Sequence, residues 1–409
     1  MTVSRGLVEA QSTRFACVDP LLPAVAAPPD GDVITAALPD GSRVAGVLQR
    51  QVHDRTSAAR LWSATEVWEL TPLLGSAGAA GMDALLRAWR RRMDRAGPAE
   101  RDSACVLTWP SRDAEATQAL LDHGLVPLSV IAVRPNTPAT PPAGRSSSGT
   151  TPSGSNTPTG RNTPTNANTP LNRNTPSADR PSGSNTPPGR NTPTGADTPT
   201  GRNTPSNANT PTGRNAPSSA DAPAGANMLA GANTPLRANT PLVPGSLVIR
   251  RATPADLETV LNLALSELRY SAMVGSTVNR PEAVELKRRT LAERLAAGGP
   301  AWLAERDGIA VALAECALVT SEPGNWTSTR LPVGRWGYVN CVSVLPGARG
   351  SGIGQRLMAH AHRELQRLGT VGSYLYYNPP NPLSSVFWPR QGYRPLWTVW
   401  EVRPAGALR

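Results

Sequence analysis

The stretch 136–245 repeats a six-residue unit built around Asn-Thr-Pro, with Gly, Arg, Ser and Ala filling the remaining places. Asn-Thr-Pro begins at 156, 162, 168 and 174 and recurs, after a slip of the frame, as far as 239. A β-helix with six-residue turns needs an aliphatic residue in each turn, and the frequent proline removes backbone donors. Such a stretch buries too little apolar surface to offset chain entropy. We therefore predict a disordered linker, partly in polyproline II conformation.

This linker divides the 409 residues into an N-terminal segment, 1–135, and a C-terminal segment, 246–409, each long enough for one domain. Its simplest role is that of a spacer, and a string of Thr-Pro phosphorylation or docking sites is the alternative. The linker also holds eight arginines and three aspartates of a chain whose net charge is +11. Its positive charges are singly spaced without aromatic residues between them, which argues against nucleic-acid binding.

The spacing of the cysteines and the lack of a long apolar run in the sequence point to a cytoplasmic protein. Cys17, Cys105, Cys316 and Cys341 form no C-x-x-C pair, so neither a zinc knuckle nor a disulfide framework is expected, and we predict small, buried thiols. The sequence has no apolar run of about 18 residues, and its first residues lack the apolar core of a secretory signal. We expect no membrane span, no signal peptide and no metal site.

The C-terminal segment is expected to alternate strands and helices in an α/β (α+β) order. Thr253-Pro254 is a typical helix start, because proline is favoured at the first helical position. We predict strands at 246–252, 301–306, 309–320, 337–344, 372–378 and 394–403, and helices after Thr253, at 281–297, from Gly352 to about Leu368 and near 382–391.

A glycine-rich loop, Arg349 to Gly354, connects a predicted strand to a predicted helix in this segment. Glycines allow backbone N–H groups to converge on an anion, and the helix N-terminus adds its positive dipole end. A pyrophosphate is the natural ligand for this arrangement. No Gly-Lys-Ser/Thr follows, which excludes a Walker A loop, and the dinucleotide fingerprint is a poor match because it lacks the acidic partner for ribose.

The run 344–354, V-L-P-G-A-R-G-S-G-I-G, resembles the V-x-P-x-x-R-G-x-G-I-G pattern of the GNAT superfamily of acetyl-CoA-dependent N-acetyltransferases. The opening run 249–257 and the closing run 381–393 are similar to the first and last motifs of that family. The resemblance covers about 247–403. It implies a mixed, largely antiparallel sheet flanked by helices, with acetyl-CoA as co-substrate.

The resemblance also implies which residues hold acetyl-CoA. Backbone groups on either side of Ser343 would pair with the pantetheine arm, N–H groups of the loop would hold the pyrophosphate, and Asn381 would position the thiol end. The implied cofactor-binding residues are Val342, Ser343, Val344, Arg349, Gly350, Ser351, Gly352, Ile353, Gly354, Gln355 and Asn381.

The residues expected to act as acid and base depart from the pattern of the family. Many family members carry Glu four residues before the first pantetheine-pairing residue, where this chain has Tyr338. Strand alternation places Tyr338 and Asn340 on one face, so we expect both to line the acceptor cleft, either ordering a water that takes the proton or simply forming its wall. The family's acidic Tyr is replaced by Trp388, whose indole does not transfer its proton.

Three tyrosines offer a replacement for the missing acid, namely Tyr376, Tyr377 and Tyr393. Alternatively, the thiolate leaves without assistance. The sequence alone does not decide between them.

The N-terminal segment contains a faint copy of the same pattern. The run 113–127 keeps the residue separations of 381–395, and the tails 127–135 and 395–404 agree apart from one inserted residue. Its counterpart of the phosphate loop, 76–81, lacks the arginine and the fixed G-x-G and is followed by a predicted helix at 82–93. We therefore expect the GNAT fold twice, the first copy being degenerate and kept for structure. Anion binding at its three glycines before a helix is the alternative.

These patterns predict an N-acetyltransferase that acetylates an amine of a small molecule or protein. A non-catalytic acyl-CoA-binding or sensing module is the main alternative, since the usual Glu and Tyr are both replaced. A protein whose Thr-Pro linker is the working part is a third possibility. No residue pattern identifies the acceptor.

Overall fold

The computed structural model describes residues 5–97, 100–136, 246–274, 277 and 279–409. The linker predicted for 136–245 lies, from residue 137 onward, outside the described residues. The strands described on both sides of it, eleven in number, belong to a single sheet. The described parts of the two segments, here called the first and second halves, therefore form one unit.

The first half contains more elements than its sequence pattern indicated. Its elements are α1 (Arg5–Val18), β1 (Asp32–Ala37), β2 (Arg43–Val52), β3 (Glu66–Leu73), α2 (Gly78–Ala96), β4 (Ser103–Pro110), α3 (Ala114–Asp122) and β5 (Val126–Pro135). The sequence did not indicate α1, β1 or β2. Helix α2 begins four residues before the expected start, so Gly78 and Gly81 belong to the helix and not to an anion-binding loop.

The second half follows its predicted order, with boundaries within three residues of those expected. Its elements are β6 (Leu247–Arg251), α4 (Leu257–Met273), α5 (Ala283–Ala296), β7 (Ala301–Arg306), β8 (Ile309–Ser321), β9 (Gly334–Val344), α6 (Ile353–Arg367), β10 (Gly372–Tyr377), α7 (Ser384–Arg390) and β11 (Arg394–Val402). The expected helix start is confirmed, because the Thr253 N–H and hydroxyl both donate to the Asp256 carboxylate.

The same succession of elements occurs in both halves. In the first half, β1, β2 and β3 are antiparallel neighbours, and α2 then crosses to β4, which is parallel to β3. In the second half, β7, β8 and β9 repeat this arrangement, with α6 crossing to the parallel β10. Each half continues with a short helix and a final strand. This repetition supports the expected second copy of the fold.

The two halves exchange their final strands. The sheet order is β1-β2-β3-β4-β11-β5-β10-β9-β8-β7-β6. Strand β11, which follows β10 in the chain, pairs with β4 of the first half, and β5 of the first half pairs with β10. The exchanged strands also pair with each other, antiparallel, at the centre of the sheet. Among the described strands, all except the two edge strands, β1 and β6, therefore have two hydrogen-bonded neighbours.

Side-chain packing joins the halves as the sheet does. One buried cluster combines Trp89 and Trp109 of the first half with Trp336 and Trp397 of the second. Trp62 of the first half belongs to the buried cluster that α4 and α5 of the second half form. The Arg280 guanidinium, 8% exposed, donates to the carbonyls of Arg60 and Ser63 and forms an ion pair with Asp102 of the first half at 2.9 Å. Neither half buries its apolar faces alone.

Helix α6 packs closely on β9 because of a glycine. A Cβ built on Gly337 would lie 2.8 Å from a Leu365 side-chain carbon, closer than real contacts allow. The buried residues of α6 recur at helical spacing and include Leu357, Ala361 and Leu365. This packing fixes the direction in which the N-terminus of α6 points.

None of the described helices is long and apolar enough to cross a membrane. The four cysteines are free thiols, of which three are buried. Cys17, which was expected to be buried, is exposed on α1. That expectation was wrong for this residue because α1 buries Gln11 and Phe15, whereas Cys17 lies on the exposed part of the helix.

The exchanged strand β11 gives the fold a pH-dependent stability. Burial raises the pKa of Glu401 to about 7, although Arg403, 2.6 Å away, opposes the shift. Between its usual value near 4.5 and about 7, the folded chain holds a proton that the unfolded chain releases. Raising the pH through this window therefore lowers the free energy of unfolding.

We predict that Glu401→Gln removes this contribution. The unfolding free energy of the variant minus that of the wild type should increase by about 2–3 kcal/mol from pH 5 to pH 8, since one pKa unit corresponds to ~1.4 kcal/mol. Urea denaturation at both pH values measures it. The exposed Glu9 provides the control variant, Glu9→Gln, for which the difference should stay constant. A constant difference for Glu401→Gln would contradict the prediction.

Candidate functional site

A gap opens in the sheet between the parallel strands β9 and β10. Their pairing ends at Val339 and Leu375, after which the strands diverge. A cavity of about 460 Å³ lies at this divergence. Its walls come from α4, β9, the loop that follows β9, the start of α6, the end of β10 and α7. The lining residues are Glu267, Tyr270, Val339, Asn340, Cys341, Val342, Ser343, Val344, Ala348, Arg349, Gly350, Gly352, Ile353, Gly354, Gln355, Tyr376, Asn381, Leu383, Ser384, Phe387, Trp388 and Arg390.

One end of the cavity is suited to an anion. Gly350 and Gly352 have φ values of +78° and +77°, the left-handed conformation that favours glycine. The first N–H groups of α6 have no carbonyl one turn earlier in the helix to receive them, so they remain available at its N-terminus. The Arg349 guanidinium donates to the carbonyl of Val344 at 2.9 Å and lies 5.2 Å from the ring centre of Tyr270.

The cavity brings together most of the residues that the sequence assigned to acetyl-CoA. All of the implied cofactor-binding residues except Ser351 line it. The Ser351 hydroxyl instead donates to the carbonyl of Ala348 and receives a hydrogen bond from Arg306, so it stabilises the loop from outside. Asn381 also holds the start of α7, because its side-chain oxygen accepts from the backbone N–H groups of Leu383 and Ser384.

The two residues proposed for catalysis lie in different surroundings. Asn340 lines the cavity, whereas Tyr338 is buried in the core that both halves share, stacked on Tyr374 with ring centres 5.0 Å apart. Among the described residues the Tyr338 hydroxyl has no hydrogen-bond partner. The reason is the position of the divergence: at Tyr338, β9 is still paired with β10. A catalytic role of Tyr338 stays a prediction, and its burial favours packing.

A buried ionic cluster holds Asn340 in place. The Asn340 amide donates to the Glu315 carboxylate at 2.6 Å. Lys287 lies 3.8 Å from the same carboxylate, and Arg294 donates to its other oxygen. Burial alone would raise the pKa of Glu315, but the two cations and these hydrogen bonds hold it below its usual value. Glu315 therefore stays ionised and orients an amide at the cavity wall.

Only one of the three candidate tyrosines lines this cavity. Tyr376 does so at the end of β10. The Tyr393 hydroxyl is buried behind α6, within hydrogen-bond distance of His362 and Ser373. Tyr377 points to the same side as α6, in its apolar core. Burial raises the pKa of Tyr376 above its usual value, so its hydroxyl stays protonated near neutral pH.

Trp388 forms part of the cavity wall and packs edge-on against Phe387 and Tyr393, with ring centres 4.9 and 5.4 Å away. Trp388 thus places an apolar side chain at the position where the resemblance leads us to expect a tyrosine. The sequence analysis did not single out two lining residues on α4, Glu267 and Tyr270, although the segment near 265–280 that contains them was expected to shape the cleft. Their separation of three residues is a helical spacing, but nothing local distinguishes them from surface positions.

The first half has an equivalent gap. Its parallel strands β3 and β4 remain paired as far as Leu70 and Leu107, and the continuation of β3 then leads to the start of α2, as β9 leads to α6. The difference lies in what occupies the gap. In the first half, helix α1 is placed across it.

Two polar contacts seat α1 against the end of β3. The Gln11 amide donates to the carbonyl of Pro72 at 3.0 Å, and its oxygen accepts from the N–H of Leu74 at 2.6 Å. One side-chain amide thereby satisfies two backbone groups of a diverging strand. Such groups are what the resemblance assigns to pantetheine binding in the second half.

Further along α1, Phe15 and Arg14 contact the other side of the gap. The Phe15 ring packs edge-on against Trp109 of β4 at 5.3 Å between centres. The Arg14 guanidinium binds the carboxylate of Asp113 at 2.8 Å. Helix α1 therefore closes the gap of the first half with apolar, hydrogen-bonding and ionic contacts.

Comparison with known proteins agrees with the loop and its surroundings. Residues 297–395 match the family model of an acetyltransferase (GNAT) domain. No curated protein matches the chain significantly.

Several solved structures are similar to part of the chain. A GCN5-related N-acetyltransferase from Ralstonia eutropha JMP134 is 25% identical, with 37% of this chain and 94% of that protein covered and a TM-score of 0.29. A predicted acetyltransferase from Clostridium acetobutylicum, solved with acetyl-CoA, is 21% identical over 36% of this chain and 90% of its own, with a TM-score of 0.30. The PaiA N-acetyltransferase from Thermoplasma acidophilum, solved with coenzyme A, is 15% identical over 39% and 99%, with a TM-score of 0.30.

The matched region runs from just before β7 to the start of β11 and contains the diverging strands, the glycine-rich loop and α7. The chain thus contains, at residues 297–395, a GNAT acetyltransferase domain.

Proposed function

We propose that the chain is an acyltransferase that moves the acetyl group of acetyl-CoA to an amine, with its active site in the cavity between β9 and β10. The observation that carries the proposal is a cavity that joins an anion-binding loop to a diverging strand end. The loop suits the pyrophosphate of coenzyme A, and the free backbone edge of β9 suits the amides of its pantetheine arm. Acetyl-CoA supplies an activated acetyl carbonyl when bound.

The residues of this chain contribute mainly by positioning. The backbone N–H groups at the start of α6 hold negative charge, and Asn340, fixed by Glu315, offers a polar group where the strands part. Holding two reactants in the correct geometry is itself a large part of catalysis. We propose Tyr376 as the group that donates a proton to the departing sulfur, since it lines the cavity and stays protonated.

We also propose that each chain binds one acetyl-CoA and acts in a reducing, cytoplasmic compartment. The first proposal is supported by α1, which fills the corresponding gap of the first half. The second is supported by four free thiols. A non-catalytic acyl-CoA-binding module remains the competing function, because Trp388 stands where the family has its tyrosine, and turnover decides between the two.

The anion-binding loop is tested by Gly352→Ala in the full chain. A Cβ built on Gly352 meets no protein atom closer than 4.0 Å, so the added methyl group would occupy the space for the ligand. We expect isothermal titration of the wild type to give one acetyl-CoA per chain. The variant should bind about 10- to 100-fold more weakly, which corresponds to one or two lost charge-assisted hydrogen bonds.

Gly308→Ala is the matched control. Gly308 has a φ of +76° in the turn between β7 and β8, and a Cβ there meets nothing within 4 Å. The control therefore imposes the same backbone strain away from the cavity, and its affinity should equal that of the wild type. Two binding sites per chain, or equal affinities for both variants, would contradict the assignment.

The proposed proton donor is tested by Tyr376→Phe. The variant should lower kcat by about 10²- to 10⁴-fold, the usual contribution of general-acid catalysis, and leave acetyl-CoA affinity unchanged. Trp388→Phe should stay within about tenfold of the wild type, because it alters packing and not a proton donor. Release of the coenzyme A thiol measures both rates.

Tyr377→Phe serves as the control for the loss of a neighbouring hydroxyl, because Tyr377 packs in the core under α6. If Trp388→Phe slowed the reaction by about three orders of magnitude while Tyr376→Phe did not, the indole would be the catalytic group. Binding of acetyl-CoA without release of thiol for any amine would favour the non-catalytic module.

A further inference from the structure

A contact between two distant parts of the chain bounds the phosphate end of the cavity. Tyr270 lies in the last turn of α4, and Arg349 belongs to the glycine-rich loop after β9; both residues line the cavity. The Arg349 guanidinium carbon lies 5.2 Å from the centre of the Tyr270 ring. Tyr270 precedes the region 297–395 that matches the family model. The contact therefore joins the loop to a residue outside the matched region.

Two side-chain contacts hold Arg349 in place. Its Nε donates a hydrogen bond to the carbonyl of Val344, at the end of β9, over 2.9 Å. The Tyr270 ring attracts the guanidinium through its electron-rich face, an interaction that strengthens as water is excluded. Tyr270 is half-buried, whereas Arg349 is exposed at the rim of the cavity. Ordering a long side chain on binding costs affinity, so an arginine that is held beforehand favours the bound state.

The guanidinium keeps donors for a phosphate group. Among the described residues, Arg349 forms no ion pair, and its only side-chain hydrogen bond uses Nε. The remaining N–H donors lie in the plane of the guanidinium, so the contact with Tyr270 does not use them. Arginine binds phosphate oxygens through pairs of such donors. The N-terminus of α6, which follows Gly352, adds backbone N–H groups beside them.

The position of the Tyr270 ring is set by the packing of α4. Leu268 and Ser271, on either side of Tyr270 in the chain, are buried. Leu268 belongs to the buried cluster in which α4, α5 and Trp62 of the first half meet. The backbone that carries Tyr270 is therefore fixed by the core and not by the loop, so the ring gives Arg349 a rigid surface to rest on.

We propose that Tyr270 is a positioning residue for acetyl-CoA. Its ring holds the Arg349 guanidinium beside the N-terminus of α6, so that the arginine binds the pyrophosphate without first having to be ordered. This inference rests on the proposed acetyl-CoA site. It makes the affinity of the glycine-rich loop depend on a side chain of α4, which belongs neither to the loop nor to the matched region.

The ring contact is tested with two substitutions of Tyr270 in the full chain. Tyr270→Leu keeps an apolar side chain but removes the ring, and it should weaken acetyl-CoA binding about five- to tenfold. Tyr270→Phe keeps the ring face and should stay within about twofold of the wild type. Isothermal titration at low salt measures the three affinities. Wild-type affinity in Tyr270→Leu, or equal losses in both variants, would overturn the inference.

A double-mutant cycle decides whether Tyr270 acts through Arg349. Arg349→Gln removes the charge and should itself weaken acetyl-CoA binding about tenfold or more. In that background Tyr270→Leu should add less than about a twofold further loss, because the ring has no guanidinium left to hold. Losses that multiply independently, or an Arg349→Gln variant with wild-type affinity, would contradict a role through Arg349.

The salt dependence of binding gives a second readout, which altered packing alone would not change. The contact between an exposed guanidinium and a phosphate is screened by salt. The ratio of the wild-type affinity to that of Tyr270→Leu should therefore fall by about half or more between about 50 mM and about 500 mM NaCl. A ratio that stays constant would indicate a loss of packing and overturn the inference.

Trp68→Leu is the matched control. The Arg50 guanidinium carbon lies 5.4 Å from the centre of the Trp68 ring, on the neighbouring strands β2 and β3, and neither residue lines the cavity. The variant loses the same type of contact and should bind acetyl-CoA as the wild type does. Weaker binding by Trp68→Leu would show that such losses act through stability, which would overturn the inference. A wild type that does not bind acetyl-CoA overturns the proposed function itself.

Discussion

The antiparallel pairing of β5 with β11 is the interaction on which the rest of the structure depends. These strands come from different halves, and each also pairs with the penultimate strand of the other half. Without its partner, either half would leave β4 or β10 with a row of unpaired backbone groups, which a protein in water must cover. The first half therefore completes the sheet on which the cavity of the second half is built. This contribution of the first half to the sheet requires no ligand bound to that half.

The separation of the parallel strands is common to both halves, but the gap that it leaves is filled in one half and open in the other. In both halves a parallel pair separates before the crossing helix begins, which exposes backbone groups that need partners. In the first half, Gln11 and the ionic contact of Arg14 satisfy this region from within the chain. In the second half, the region stays open as a cavity with a glycine loop at its rim. The first half thus has a helix across the gap and no arginine in the corresponding loop, 76–81.

Local sequence patterns predicted the second half well because its elements rest on short-range chemistry. The cap at Thr253, the spacing of α6 and the left-handed glycines of the loop each depend on residues within a few positions. The strand exchange could not be predicted in the same way. Strand β5 pairs with β10 across more than two hundred residues of chain, and alternation within a strand does not reveal its partner.

The surroundings of the expected site residues depend on strand register. Alternation placed Tyr338 and Asn340 on one face, but the cavity begins only after Val339, where pairing with β10 ends. Tyr338 is therefore covered by Tyr374, while Asn340 reaches the cavity. Glu267 was overlooked because α4 contributes to the cavity through tertiary packing, which no motif in the helix records.

The carboxylate beside Asn340 acts within the protein. Glu315 is shared by Lys287 and Arg294, and its removal would leave the buried Lys287 without a carboxylate partner. The two cations compensate its charge, so Glu315 can orient Asn340 but is poorly placed to receive a proton from a substrate. The ionic cluster therefore fixes a polar amide where β9 and β10 separate, and the polarity of the cavity wall depends on contacts made behind it.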